Sequence, residues 1–159
     1  MKTLIVYYSY SGITEKVVKM YASELNKNGE VSIQRLKPKE EIKTFFGQCR
    51  AAFGRKRAEL EGNVPFDVRD YDLIIIGSPV WAFTPVPAMN TYLDKLSGLE
   101  GKRIVILLTS GSGAGVGNCF GTIKKMLEAK NASKIDTINI PNRMMSNENF
   151  IIGALKKVL

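Results

Sequence analysis

Histidine is absent from the 159 residues. That excludes Ser-His-Asp and Cys-His catalysis and every histidine-ligated metal site. Cysteine is sparse: Cys49 and Cys119 form no CxxC motif, suggest no disulfide framework and are too few for a four-cysteine zinc or iron–sulfur site. Acids are outnumbered, 15 Asp and Glu against 23 Lys and Arg, for a net charge of +8. No apolar run approaches the roughly 20 residues that span a bilayer. The sequence starts on an apolar strand without a leader-cleavage pattern. We therefore expect a cytoplasmic protein with no membrane insertion. With so few side chains suited to demanding chemistry, that chemistry is expected from a bound cofactor.

What is present reads as one α/β domain over 1–159, with 45% hydrophobic residues to build a core. Leu4-Ile5-Val6 within Lys2–Tyr8, Leu73-Ile74-Ile75-Ile76 and Ile104-Val105-Ile106-Leu107-Leu108 are apolar without alternation, as in parallel strands covered on both faces. Val31–Leu36 and Lys134–Ile140 are weaker strand candidates. Helical spacing runs from Ile13 to about Asn28 through Ile13, Val17, Tyr21 and Leu25. It recurs from Glu40 to Phe53 through Ile42, Phe45, Phe46, Cys49 and Phe53. Pro85 and Pro87 suit the start of a helix that buries Met89, Tyr92, Leu93 and Leu96. A fourth helix ends near Lys130 and a fifth begins near Asn147, burying Phe150, Ile151, Ala154, Leu155 and Val158. The strand–helix alternation calls for a five-stranded, mostly parallel sheet of order 2-1-3-4-5 with helices on both faces, a three-layer sandwich. In such sheets ligands bind beyond the carboxyl ends of strands 1 and 3, where the order reverses.

Three loops should meet at that edge. The first, Ser9-Tyr10-Ser11-Gly12-Ile13-Thr14, offers hydroxyls, a glycine and the free N–H groups of a helix start, which together suit a phosphate. Ser11 or Thr14 as an ordinary N-cap is the simpler reading of the same residues. The second loop, from Gly77 through Ser78, Pro79, Val80, Trp81 and Ala82 to Pro85, carries the only tryptophan. The third, Thr109–Gly117, is glycine-rich; it fails the GxGxxG spacing and follows the fourth strand, not the first.

Tyr7, Ser9, Gly12 and Thr14, directly after an N-terminal apolar strand, resemble the FMN-phosphate signature of the flavodoxin family. Two helix positions depart from the family: Val18 stands where a small alanine is usual, and Tyr21 where an aliphatic residue is usual. The resemblance implies a flavodoxin-like sheet and bound FMN. Its phosphate would sit at Ser9, Tyr10, Ser11, Gly12, Ile13 and Thr14. Its ring would lie against Ser78, Pro79, Val80, Trp81 and Ala82, and its pyrimidine end at Ser110, Gly111, Ser112 and Gly113. A ring stacked on Trp81 would gain on the order of 1 kcal/mol beyond area burial.

The implied function is electron transfer through non-covalently bound FMN. The basic charge departs from the acidic balance usual in such carriers and predicts an acidic redox protein as partner. The alternative is an NAD(P)H-dependent FMN or quinone oxidoreductase of the same superfamily. Nucleic acid is not the expected partner, because the basic residues are spread along the chain and the aromatic loop would go unexplained. The run Arg50, Arg55, Lys56, Arg57 reads either as a solvated helix end or as a patch for an acidic protein.

Overall fold

Strands that are apolar at every position need cover on both faces, and the fold supplies it in two helical layers. A computed structural model of the chain describes residues 1–159, except for the side chains of Phe45, Ala52 and Phe53. Its strands are β1 (Lys2–Tyr7), β2 (Glu30–Arg35), β3 (Leu73–Pro79), β4 (Arg103–Ser110) and β5 (Lys134–Pro141). All neighbours pair in parallel, in the expected order β2-β1-β3-β4-β5. The helices are α1 (Ile13–Leu25), α2 (Phe45–Phe53), α3 (Pro87–Lys95), α4 (Val116–Glu128) and α5 (Glu148–Lys156), with a 3₁₀ turn at Asn142–Met144 after β5. No helix among the described residues is long and apolar enough to cross a membrane.

Alternate residues of each strand serve opposite layers, because the side-chain period along a strand is two. Leu4, Val6, Ile74, Ile76, Ile104 and Ile106 pack with Met89, Tyr92 and Leu93 of α3 and Ile123 and Leu127 of α4. Ile5, Leu73, Ile75, Val105 and Leu107 pack with Val17, Val18, Tyr21 and Leu25 of α1 and Ile151 and Leu155 of α5. Gly77 makes room for α1: a Cβ there would lie 3.0 Å from Tyr7 Cβ and 3.5 Å from both Thr14 Cγ2 and Val18 Cγ2. Phe150 differs from the expected burial and is exposed, since α5 turns only its Ile151–Leu155 stripe to the sheet.

Tyr21 carries an anomaly. Its side chain is fully buried and its hydroxyl has no hydrogen-bond partner among the described residues. Burial alone pushes the phenol pKa up. An unmet buried hydroxyl costs about 1–3 kcal/mol, so Tyr21→Phe should raise stability by about 1 kcal/mol. That is a thermal midpoint higher by roughly 2–4 °C for a chain of this size. Thermal unfolding followed by circular dichroism checks it; a lower midpoint would mean the hydroxyl has a partner in solution.

The β2-to-β3 connection is an excursion clasped at its base. Lys39 N–H donates to the Glu59 carbonyl at 2.9 Å and Glu61 N–H to that of Lys37 at 2.8 Å. Further along, Thr91 of α3 accepts from Ala58 N–H at 3.0 Å and donates to the Ala58 carbonyl at 2.7 Å, and the Arg57 guanidinium forks onto Asp94 at 2.6 and 3.1 Å. The helix expected over Glu40–Phe53 is shorter. Thr44 Oγ1 accepts Gly47 N–H at 3.2 Å, starting α2 late, so Ile42 falls before it. Phe46 is 77% exposed, because α2 turns Gln48 and Ala51 inward. The expected roles of Phe45 and Phe53 lie outside the described side chains.

Candidate functional site

β1 ends at Tyr7, and the chain reaches α1 through a turn that glycine makes possible. Gly12 is the N-cap residue at φ 85°, in the left-handed region, and has no side chain with which to cap the helix. The N-cap role offered to Ser11 or Thr14 is therefore not taken. Ser11 is exposed, and the Thr14 hydroxyl pairs with that of Thr109, 2.8 Å away. The first ladder bond is Lys16 N–H to the Gly12 carbonyl at 2.9 Å, and Glu15 N–H is taken by Ser9 Oγ at 3.3 Å. Ile13 and Thr14 keep N–H groups with no intrahelical acceptor, at the positive end of the helix dipole.

A cation braces this turn although none lies within it. Arg35, at the end of β2, donates to the Ser9 carbonyl at 2.9 Å and pairs with Glu15 at 2.8 Å. The Lys19 ammonium, with Arg35 adding to it, holds the Glu15 carboxyl below its ordinary range. The sheet order makes this contact, since β2 neighbours β1; the loop sequence carries no sign of it.

The second loop begins later than expected. Gly77, Ser78 and Pro79 are still strand, paired with Leu107, Leu108 and Thr109. Ser78 is fully buried and donates to the Pro79 carbonyl at 2.9 Å. Trp81 and Thr84 then exchange backbone hydrogen bonds at 3.2 and 2.9 Å across Ala82 and Phe83. Both central residues have positive φ, 44° and 68°, as in a type I′ turn, which ordinarily takes Asn and Gly. Trp81 is half-buried and meets Tyr8 and Tyr10 edge-on, with ring centroids 5.6 and 6.1 Å apart. The Tyr8 hydroxyl donates to Glu41, and the Tyr10 hydroxyl to the Lys43 carbonyl at 3.2 Å, so the excursion is tied to the aromatic cluster. Burial, reinforced by Glu41, pushes the Tyr8 phenol pKa up.

In the third loop Ser110 is buried at the end of β4 and donates to Asn139 Oδ1 at 3.0 Å. Gly111, Ser112 and Gly113 are exposed, and Gly115 caps α4 at φ 75°. A Cβ on Gly115 would fall 2.0 Å from Phe83 Cδ1, so the second and third loops touch here.

These loops enclose a pocket of about 170 Å³. Tyr10, Ser11, Ile13 and Thr14 line it from the first loop, Pro79, Val80 and Trp81 from the second, and Gly111 from the third. Ser78 and Ser110 are instead buried beneath the loops, and Ala82 faces a different groove. Thr109, expected only as the start of the third loop, also lines the pocket, as does Asn142, which was not foreseen. Asn142 follows β5, so the same carboxyl-edge rule applied to the fifth loop would have reached it.

Fold and pocket together define a doubly wound α/β protein with a loop-lined pocket at its switch point. The flavodoxin family model matches residues 2–150, and the chain belongs to that family. It is similar to a flavoprotein of Lactobacillus acidophilus solved in complex with FMN, at 25% identity over 93% of this chain and 98% of that one, with TM-score 0.67. It is also similar to oxidised flavodoxin 1 of Bacillus cereus, at 15% identity over 98% of each chain, TM-score 0.59. Rubredoxin oxygen:oxidoreductase of Desulfovibrio gigas matches at 16% identity over 99% of this chain and 36% of that one, TM-score 0.58. FMN is the cofactor that the family and the Lactobacillus complex support. The residues fit it: a helix N-terminus whose N-cap residue offers no side-chain acceptor, a left-handed glycine with nothing within 4 Å of a Cβ, hydroxyls, and an indole wall.

Proposed function

We propose that this protein holds FMN non-covalently in the three-loop pocket and passes electrons to and from other redox proteins. The observation that carries the reading is the start of α1. Its N-cap is a bare left-handed glycine, so Ile13 N–H, Thr14 N–H and the Ser11 hydroxyl are left for a phosphate beside Trp81. When bound, FMN supplies one- and two-electron redox chemistry. The protein's part is to bind and orient. Residues 11–14 take the phosphate, Arg35 fixes the turn through the Ser9 carbonyl, and Trp81 and Tyr10 exclude water from the ring. None of the pocket's side chains is asked to act as acid or base.

The partner is an acidic protein docking weakly against the basic surface, with salt-sensitive rates. Lys43, Arg50, Arg55 and Lys56 are exposed on the excursion that Tyr8 and Tyr10 tie to the pocket. FMN-loaded protein mixed anaerobically with NADPH should stay yellow until a protein reductant is added. Rapid bleaching by NADPH would give the lead to the oxidoreductase reading, and failure to load FMN would sink both.

A further inference from the structure

The Trp81–Thr84 turn has two sides. The flavin pocket lies against Trp81. On the other side Ala82, Phe83 and Thr84 wall a separate groove of about 830 Å³, closed by α3, α4 and the Arg55–Arg57 stretch. That volume is in the range of small-molecule sites, roughly 300–1,000 Å³.

Phe83 is 51% exposed and its backbone is left-handed at φ 68°, next to Ala82 at φ 44°. Non-glycine residues held in this region cost about 1–3 kcal/mol each and persist where the surroundings over-determine them. The backbone exchange between Trp81 and Thr84 closes the turn that holds them so, and Gly115 leaves it room, since any Cβ there would meet the Cα and Cβ of Phe83 at 2.7 Å. The chain thus holds a large apolar ring at the groove against both strain and solvent. The groove's charge is mainly positive. Arg55, Arg57 and Lys125 line it with a single carboxylate, Asp94, and that carboxylate is forked by Arg57. Among the described residues neither the Arg55 nor the Lys125 side chain has an ion-pair partner. Asn90, buried in α3, spends an amide N–H on the Lys56 carbonyl at 3.3 Å, which keeps the basic stretch over the groove.

An exposed ring, two unpaired cations and an open α4 face at Gly117 and Gly121 fit one ligand chemistry. We propose that this groove binds a planar aromatic anion of the nucleotide class, its ring against Phe83 and its phosphate toward Arg55 and Lys125. Stacking on an aromatic face and charge-assisted phosphate contacts are the two forces such a ligand needs. The site shares the Trp81–Thr84 turn with the flavin pocket and stands whether or not that pocket takes FMN.

The test is a titration of FMN-loaded protein with ADP and, separately, NADPH, followed by backbone amide NMR shifts. Saturable shifts at Phe83, Gly117, Asn118 and Gly121 are expected. Lys125→Glu and Arg55→Glu, both on exposed side chains, should each weaken binding roughly tenfold or more at an unchanged thermal midpoint. Shifts with both probes assign recognition to the adenine–phosphate part, and shifts with NADPH alone assign it to the nicotinamide half. The proposal is overturned by absence of saturation up to millimolar concentration, by saturation that neither variant weakens, or by shifts confined to Ile13 and Thr14. If the protein fails to load FMN, the carrier reading falls separately, and the same titration of the unloaded chain still decides the groove.

Discussion

Trp81→Ala should lower FMN affinity by roughly 10- to 100-fold, since tenfold corresponds to about 1.4 kcal/mol. The indole is the largest ring in the pocket wall and is half-buried. Its edge-on contacts with Tyr8 and Tyr10, at 5.6 and 6.1 Å, hold it in one orientation. Removing it takes away apolar contact area and also leaves Tyr10 without the ring it leans on. Flavin fluorescence titration reads the result, and the emission of bound FMN should also rise as an aromatic quencher is lost. Trp81→Phe should recover part of the affinity. Ser11→Ala should cost less, roughly three- to tenfold, the worth of one hydrogen bond; its side chain is exposed, so stability should not change. Unaltered affinity in both Trp81→Ala and Ser11→Ala would place the flavin elsewhere.

Gly115→Ala should destabilise the protein by about 2–4 kcal/mol, from the left-handed backbone penalty and the steric clash together. The thermal midpoint should then fall by roughly 4–16 °C. The new methyl would lie 2.0 Å from Phe83 Cδ1 and 2.7 Å from both its Cα and Cβ. A side chain can swing away, but the Phe83 Cα belongs to the tight Trp81–Thr84 turn, so the turn itself must move. FMN affinity should drop with it, because Trp81 leads into that turn. Gly113→Ala is the control. Its φ of 81° carries the same backbone penalty, yet a Cβ there meets nothing within 4 Å. The difference in midpoint between the two variants isolates the steric contact, and equal midpoints would show that the Phe83–Gly115 contact does not exist in solution.

The parts of the fold legible from sequence were those governed by local pattern. Three unbroken apolar runs became β1, β3 and β4 because a strand with no polar face has nowhere to go but the middle of a covered sheet. Pro87 at the first turn of α3 and Asn147 capping α5, its Oδ1 accepting Phe150 N–H at 2.9 Å, follow from single-residue stereochemistry. The wall of the pocket was largely legible too, since the carboxyl-edge rule converts sheet order into a list of loops. Tyr10, Ser11, Ile13, Thr14, Pro79, Val80, Trp81 and Gly111 line it.

What escaped were contacts set by which elements end up side by side. Ser78 and Ser110 look like loop hydroxyls, but β3 and β4 pair further than their apolar cores, and both side chains are buried with internal partners. Ile42 and Phe46 kept helical spacing, yet Thr44 starts α2 in a different place and on a different face. By itself the sequence determined the sheet, its order and the edge where three loops line a pocket, because hydrophobic periodicity and glycine stereochemistry act within a few residues of chain. Only the tertiary structure decided that Arg35 braces the first loop, that Glu41 reaches Tyr8, and that Phe83 rests on Gly115 beside a basic groove. Those contacts join residues 26 to 33 positions apart, and no local pattern encodes a neighbour that the sheet brings in from another crossover.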